Sequence, residues 1–291
     1  MWGSIILFFI LTIGLGFLLD IIIKNWSADP IEKIIIRLGT GTLLIPLLGV
    51  IFNNLKIPIY WPLFLGISLI TTISAIILRK ERIFKDFSGF KLKKSHIYTF
   101  LVFILFFITL NMYMKGSFGY PWLEDGDTYG YTMTSKYIAL EKTYDNDLYF
   151  HHYSYPYTQG YQIVMGILHQ TNDSIYWTMK FFNALIISFS ILFFFYFTKR
   201  FTKNKKWAFW STFALFAIPA WIGHFIFSLN FNMALLFLPL YAFFSIENNK
   251  RWKYIAGIFC GSLLISHFYT SVIFFIFLGI FYLLRVLIYK R

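Results

Sequence analysis

Long apolar runs alternate with short charged breaks along most of the chain. A helix of about 20 apolar residues crosses roughly 30 Å of hydrocarbon, and most of the runs approach this length. Because backbone groups in lipid must be hydrogen-bonded within their own segment, we expect an all-α, polytopic transmembrane helical bundle. The predicted spans, about nine in number, are residues 4–23, 34–52, 57–78, 97–114, 175–197, 207–223, 228–246, 254–266 and 270–288.

The charged breaks indicate the direction of the spans. If the break at residues 79–94 is cytoplasmic, 21 of the 26 Lys and Arg residues fall on that side, as the positive-inside rule requires. We therefore expect a cell-membrane protein with its N-terminus outside and its C-terminus in the cytoplasm. The segment 115–174 then forms an outer loop. We predict two parts, a three-span scaffold with its basic loop in residues 1–95 and a membrane module in residues 96–291.

Composition agrees with a bilayer protein, since 58% of the residues are hydrophobic and only 13% are charged. The net charge of +13 follows from the topology. The basic breaks lack interleaved aromatic residues, so we expect no nucleic acid partner and predict membrane lipids as the surroundings. The single cysteine, Cys260, lies in an apolar run and is expected to pack there.

The outer loop contains two helical patterns. Residues 156–170 place Tyr161, Val164 and Leu168 on one face and glutamines on the other, which predicts an interfacial or re-entrant helix. An earlier apolar stripe predicts a second helix along the membrane surface, through Tyr129, Met133, Tyr137 and Leu140. The loop is thus expected to be structured against the bilayer.

Three carboxylates, Glu124, Asp125 and Asp127, lie within four residues directly after a span. Carboxylates this close repel one another, which favours a bound cation or the protonation of one of them. A structural interpretation is compatible with this one, since Asp127 can cap a helix that starts at Thr128 and Gly126 can permit a turn.

The motifs that follow the cluster have a characteristic order and spacing. They are Gly126-Asp127-Thr128-Tyr129-Gly130-Tyr131, Tyr137-Ile138-Ala139, Tyr155-Pro156 with Gly160-Tyr161, Lys180-Phe181-Phe182-Asn183, Ile218-Pro219, Ser228-Leu229-Asn230-Phe231-Asn232, Ala256-Gly257 with Gly261, and Ser266-His267. With the acidic cluster after a span, residues 93–288 resemble the GT-C superfamily of membrane glycosyltransferases. The resemblance implies transfer of a sugar from a polyprenyl-phosphate-linked donor to an acceptor at the outer face.

A first-loop carboxylate is catalytic in that family, and Asp127 is the matching position. It would act as the base, with Asp125 as the second choice for base or metal ligand. Asn230 and Asn232 stand where many relatives carry an acid, and the later spans of typical members are missing. We therefore expect a short member: a minimal enzyme, half of a split system with a partner membrane subunit, or an inactive remnant.

The leaving phosphate would lie beside a loop with seven acids and three lysines. A divalent cation, Mg²⁺ or Mn²⁺, held by Asp125, Asp127 or Glu124 would offset this repulsion. Lys180 is a candidate ligand for the lipid phosphate, or its side chain snorkels to the interface.

Two other classes of function remain as alternatives. A lipid or solute transporter should carry ionisable residues near the membrane midplane, where this chain has few. A non-catalytic subunit of a membrane assembly would keep the bundle without the chemistry.

Overall fold

A computed structural model describes residues 1–88, 96–123, 126–145, 159–218, 221 and 226–289. Within these residues every regular element is a helix of the α or 3₁₀ type, so the predicted all-α class is confirmed. The α-helices are α1 (Trp2–Gly16), α2 (Leu18–Ile22), α3 (Pro30–Asn54), α4 (Trp61–Ser88), α5 (His96–Phe118), α6 (Gly126–Glu141), α7 (Gly160–His169), α8 (Ile175–Thr202), α9 (Lys205–Phe216), α10 (Ser228–Leu235), α11 (Phe237–Ser245), α12 (Trp252–Ser266) and α13 (Phe268–Tyr289).

Six helical segments in the described part are long and apolar enough to cross a membrane: Trp2–Ile22, Pro30–Asn54, Trp61–Arg79, His96–Phe118, Ile175–Thr202 and Ser228–Ser245. Shorter apolar stretches occur in α12 and α13. The predicted span at 207–223 corresponds to α9, which ends at Phe216; residues 219–220 and 222–225 lie outside the described residues. The described residues therefore form a helical bundle with six candidate spans. The predicted number of about nine spans stays a prediction.

Three of the basic breaks meet at one end of the bundle, which we call the basic end. Lys199 Nζ lies 3.0 Å from Asp29 Oδ2, which joins the end of α8 to the start of α3. Arg251 donates a hydrogen bond of 2.9 Å to the carbonyl of Ile22. The helices thus run alternately up and down, as the predicted grouping of the breaks requires. That the basic end is cytoplasmic stays a prediction from the positive-inside rule.

Glycine allows α1 and α3 to touch through their backbones. A Cβ added to Gly41 would lie 1.9 Å from the carbonyl oxygen of Thr12, and one added to Gly16 would lie 2.1 Å from that of Arg37. Without a side chain at these positions, two helices can approach closely enough to pack main chain on main chain. This contact fixes the N-terminal helices as one unit.

Buried ionic groups join this unit to the rest of the bundle at the basic end. Lys199 Nζ lies 2.7 Å from Glu32 Oε2, and the hydroxyl of Tyr241 donates a hydrogen bond of 2.7 Å to Glu32 Oε1. Arg37 forms a separate buried pair with Asp20 at 2.7 Å. Charged and hydrogen-bonded side chains thus join α3 to α8 and α11, and the scaffold role of the first spans stays a prediction.

Candidate active site

Helix α6 buries its threonine and serine side chains and exposes an apolar stripe together with its charged residues. Thr132 and Ser135 are buried and donate hydrogen bonds of 2.7 Å to carbonyls of the preceding turn, which satisfies their hydroxyls. Tyr129, Met133 and Leu140, from the predicted stripe, are exposed. A helix that lies along a membrane surface needs this arrangement, because its outer face meets lipid.

Helix α7 is enclosed by the protein. All of its residues from Gly160 to Leu168 are buried, including Gln162. A Cβ on Gly166 would lie 2.9 Å from the carbonyl oxygen of Ser135, and one on Gly160 would lie 2.6 Å from Ser266 Oγ. The predicted polar face of α7 is therefore covered by other helices, and the interfacial and re-entrant alternatives both stay predictions.

The turn between α3 and α4 forms hydrogen bonds with the residues that follow the C-terminal ends of α6 and α7. Asp145 accepts hydrogen bonds from Asn53 Nδ2 at 2.5 Å and from Lys56 Nζ at 2.6 Å. Gln170 Nε2, just beyond α7, donates to the carbonyl of Ile59 at 2.8 Å. The two helices are thus fixed to the N-terminal part of the chain at this end, which we call the loop end.

Asp127 lies on the first turn of α6 and is exposed. The helix begins at Gly126, so the alternative that Asp127 caps a helix starting at Thr128 is wrong. A carboxylate in the first turn interacts favourably with the positive end of the helix dipole. Asp127 therefore presents its carboxylate at the protein surface, at the start of α6.

The residues that follow Asp127 are anchored to the start of α10. Thr128 is buried, and its hydroxyl donates a hydrogen bond of 3.1 Å to the carbonyl of Ile226. Ser228 Oγ donates to the hydroxyl of Tyr131 at 3.1 Å. These contacts fix the first turn of α6 and with it the backbone of Asp127.

Lys180 lies inside the protein, with only 4% of the residue exposed. Its ammonium group donates a hydrogen bond of 2.5 Å to the carbonyl of Tyr120 and lies 5.7 Å from the centre of the Phe118 ring. Its ammonium thus binds the backbone of the segment that leads to the acidic cluster, and both expected roles of Lys180, phosphate ligand and snorkelling residue, stay predictions.

Two buried amides beside α7 were not singled out as site residues from the sequence. Asn183 accepts a hydrogen bond of 3.2 Å from the hydroxyl of Tyr161, but its Nδ2 has no partner. Gln162 is fully buried, and neither atom of its amide is hydrogen-bonded. Buried polar groups without a hydrogen-bond partner are costly in a membrane bundle, so these two amides are unusual positions in the described interior. The Lys-x-x-Asn motif was the available signal for Asn183.

Of the three predicted metal ligands, only Asp127 belongs to the described part of the chain; Glu124 and Asp125 lie outside it. Within the described ranges, no group of three or more His, Cys, Asp or Glu side chains could hold a metal ion. A magnesium or manganese site at the acidic cluster stays a prediction.

Comparisons of the chain with protein-family models, with curated proteins and with solved structures find no match. The relation to GT-C enzymes therefore stays a hypothesis that depends on the order of the motifs and on the chemistry available at Asp127.

Proposed function

We propose that the protein is a membrane glycosyltransferase that moves a sugar from a polyprenyl-phosphate-linked donor to an acceptor at the outer face. The exposed carboxylate of Asp127, on a helix turn fixed by Thr128 and Tyr131, is the observation that carries this proposal. A reactive carboxylate must be accessible to substrate and firmly positioned, and Asp127 meets both requirements.

Asp127 would act as the general base. It takes the proton of an acceptor hydroxyl while that oxygen forms a bond to the anomeric carbon of the donor sugar. The bond between the anomeric carbon and the phosphate oxygen breaks, and polyprenyl phosphate leaves as an anion with the electron pair. Removal of the proton makes the hydroxyl a stronger nucleophile, which contributes roughly 10²- to 10⁴-fold to such a step.

Exposed aromatic side chains support a location at the depth of the lipid headgroups. Tyr120 and Trp122 precede the acidic cluster and are exposed, and so is Tyr176 at the start of α8. Tyrosine and tryptophan concentrate where membrane meets water. A sugar on a lipid phosphate would be found at the same depth as Asp127.

The leaving phosphate needs positive charge. We propose that Asp127, Asp125 and Glu124 hold a divalent cation, Mg²⁺ or Mn²⁺, which would stabilise the charge on the phosphate oxygens. Lys180 would stabilise the segment that carries Glu124 and Asp125 through its hydrogen bond to the carbonyl of Tyr120. To bind the lipid phosphate directly, its ammonium would have to release that carbonyl.

The placement of charges disfavours a transporter. Among the buried ionisable residues of the described spans, Glu32 and Lys180 lie close to a helix end, and Arg37 is paired with Asp20. A transport pathway should instead place such groups near the membrane midplane.

The test is transfer of radiolabelled sugar from polyprenyl-phosphate donors by the purified full chain in lipid vesicles. We expect Asp127→Asn to lower the rate at least 100-fold, since an amide cannot take the proton. Asp173→Asn is the matched control, because Asp173 is an exposed acid of the same loop. EDTA tests the cation separately. Equal rates for Asp127→Asn and wild type would refute the assignment of the base, and a folded protein inactive with every donor would favour a partner-dependent or non-catalytic subunit.

A further inference from the structure

The C-terminal end of α2 binds arginines from two other parts of the bundle. Arg79, where the candidate span of α4 ends, donates hydrogen bonds to the carbonyls of Asp20 at 3.1 Å and Ile21 at 3.5 Å. Arg251, the residue before α12, donates to the carbonyl of Ile22 at 2.9 Å. The last carbonyls of a helix carry partial negative charge, which favours cations there. Two guanidinium groups therefore meet at this end of α2.

A third cation, Lys24, follows α2 after one further residue. Lys24 and Arg251 are exposed, so both can be reached from outside the protein. The carboxylate of Asp20 is buried beneath them and is already bound by Arg37 Nε at 2.7 Å and by the indole of Trp26 at 3.2 Å. We call the site formed by Lys24, Arg79 and Arg251 the α2 corner.

The turn that leads into α12 adds to the positive charge of the α2 corner. Residues 246–254 carry three cations, Lys250, Arg251 and Lys253, and one acid, Glu247. The hydrogen bond to Ile22 uses Nη1 of Arg251, whereas a guanidinium group has five N–H donors in all. Arg251 can therefore hold the backbone of α2 and a second, external acceptor together.

The outer face of α4 is apolar up to the α2 corner. Ile70, Ile73 and Ile77 are spaced for one side of the helix, and each is more than half exposed. Leu78, beside Arg79, is also more than half exposed. In a bilayer, acyl chains cover such a face, and the end of the apolar segment at Arg79 lies at the depth of the headgroups.

We propose that the α2 corner binds the headgroup of an anionic phospholipid. The lipid phosphate accepts hydrogen bonds from Arg251 and lies beside Lys24, while Arg79 adds positive charge from behind, and the acyl chains follow the outer face of α4. The planar guanidinium group matches the oxygens of a phosphate. A zwitterionic headgroup brings its own cation, so the excess of positive charge selects an anionic lipid.

The α2 corner is separate from the proposed sugar-transfer chemistry. At the other end of the α4 span, the backbone N–H of Trp61 donates a hydrogen bond to Gln170 of the loop end. The span from Trp61 to Arg79 covers about 27 Å at 1.5 Å per residue. Lipid binding at the α2 corner therefore does not depend on the function proposed for Asp127.

The test is a titration of the purified full chain in detergent with phosphatidylglycerol or phosphatidylcholine, in which native mass spectrometry counts the bound lipids. We expect phosphatidylglycerol to bind the wild type at least about fivefold more tightly than phosphatidylcholine. Arg251→Gln and Lys24→Gln should each weaken phosphatidylglycerol binding about fivefold and leave phosphatidylcholine binding unchanged. Excess glycerol phosphate, which has no acyl chains, should not displace the lipid.

Lys206→Gln is the matched control, because Lys206 is an exposed cation on α9, a helix that packs against α5 and α8. This variant should bind phosphatidylglycerol as the wild type does. The proposal is overturned if the wild type binds both lipids equally, if Lys206→Gln weakens binding as much as Lys24→Gln, or if glycerol phosphate displaces the lipid. Because Lys24 is exposed, Lys24→Gln decides the question even where Arg251→Gln does not fold.

Discussion

Replacement of Gly41 by alanine tests whether α1 and α3 really touch through their backbones. The new Cβ would lie 1.9 Å from the carbonyl oxygen of Thr12, whereas ordinary contact begins near 3.4 Å. The difference of 1.5 Å can be relieved only if the helices separate, since the obstructing atoms belong to the main chain of a helix. The two helices would then lose the packing along their whole contact.

Overpacking of a tight core costs about 1–3 kcal/mol, and the rigid backbone places Gly41→Ala at the upper end of this range. Alanine regains about 1 kcal/mol over glycine through its better helix propensity. We therefore expect a net loss of about 2 kcal/mol in the free energy of unfolding, measured by titration with SDS in mixed micelles.

Gly66→Ala is the matched control, because a Cβ at Gly66 in α4 has no neighbour within 4 Å. This variant should be as stable as the wild type or slightly more stable. If Gly41→Ala and Gly66→Ala unfold at the same SDS fraction, the helices are farther apart than described here and the reasoning is refuted.

Two further predictions concern lysines at opposite ends of the bundle. Burial opposes the ionisation of Asp29, but Lys199 and its neighbours outweigh it and hold the pKa of that carboxyl below its ordinary value of 3.8. Lys199→Met should therefore lower the free energy of unfolding by about 3 kcal/mol at neutral pH. The difference in unfolding free energy between variant and wild type should shrink as the pH falls below about 4, because a lowered pKa means that the ion pair stabilises only the ionised carboxylate. A difference that grows in acid would contradict this. At the loop end, Lys180→Met should raise amide hydrogen exchange in residues 119–123 about tenfold, since a charge-assisted hydrogen bond to Tyr120 is lost, and unchanged exchange would show that the bond does not hold this segment.

The sequence predicted the helical class, six of the spans and the common end of three basic breaks, because long apolar runs and charges are local signals. It did not predict that α7 is buried, since periodicity shows two faces of a helix and not what covers each. Gln162 looked like part of a polar surface and lies in the interior. Asp127 lies in the first turn of α6, two positions inside the helix from the cap position that the sequence allowed.

The hydrogen-bond partner of Lys180 could not be predicted from the lysine and its sequence neighbours. A lysine one turn inside a span resembles a snorkelling residue, and only the three-dimensional path of residues 118–120 reveals its acceptor. The sequence did not pair Gln162 with Asn183 either, because the two residues belong to different helices, which the hydrogen bond from Tyr161 to Asn183 connects.

The enclosure of α7 has a consequence for how the chain is made. This helix contacts α1, α3, α6, α8, α10 and α12, and the last three follow it in the sequence. When the ribosome has just completed α7, three of the six helices that contact it have not yet been synthesised. Because chains emerge from the N-terminus onward, α8, α10 and α12 can cover α7 only after α7 itself has been made. The enclosure of α7 is thus complete only after α12 has been synthesised.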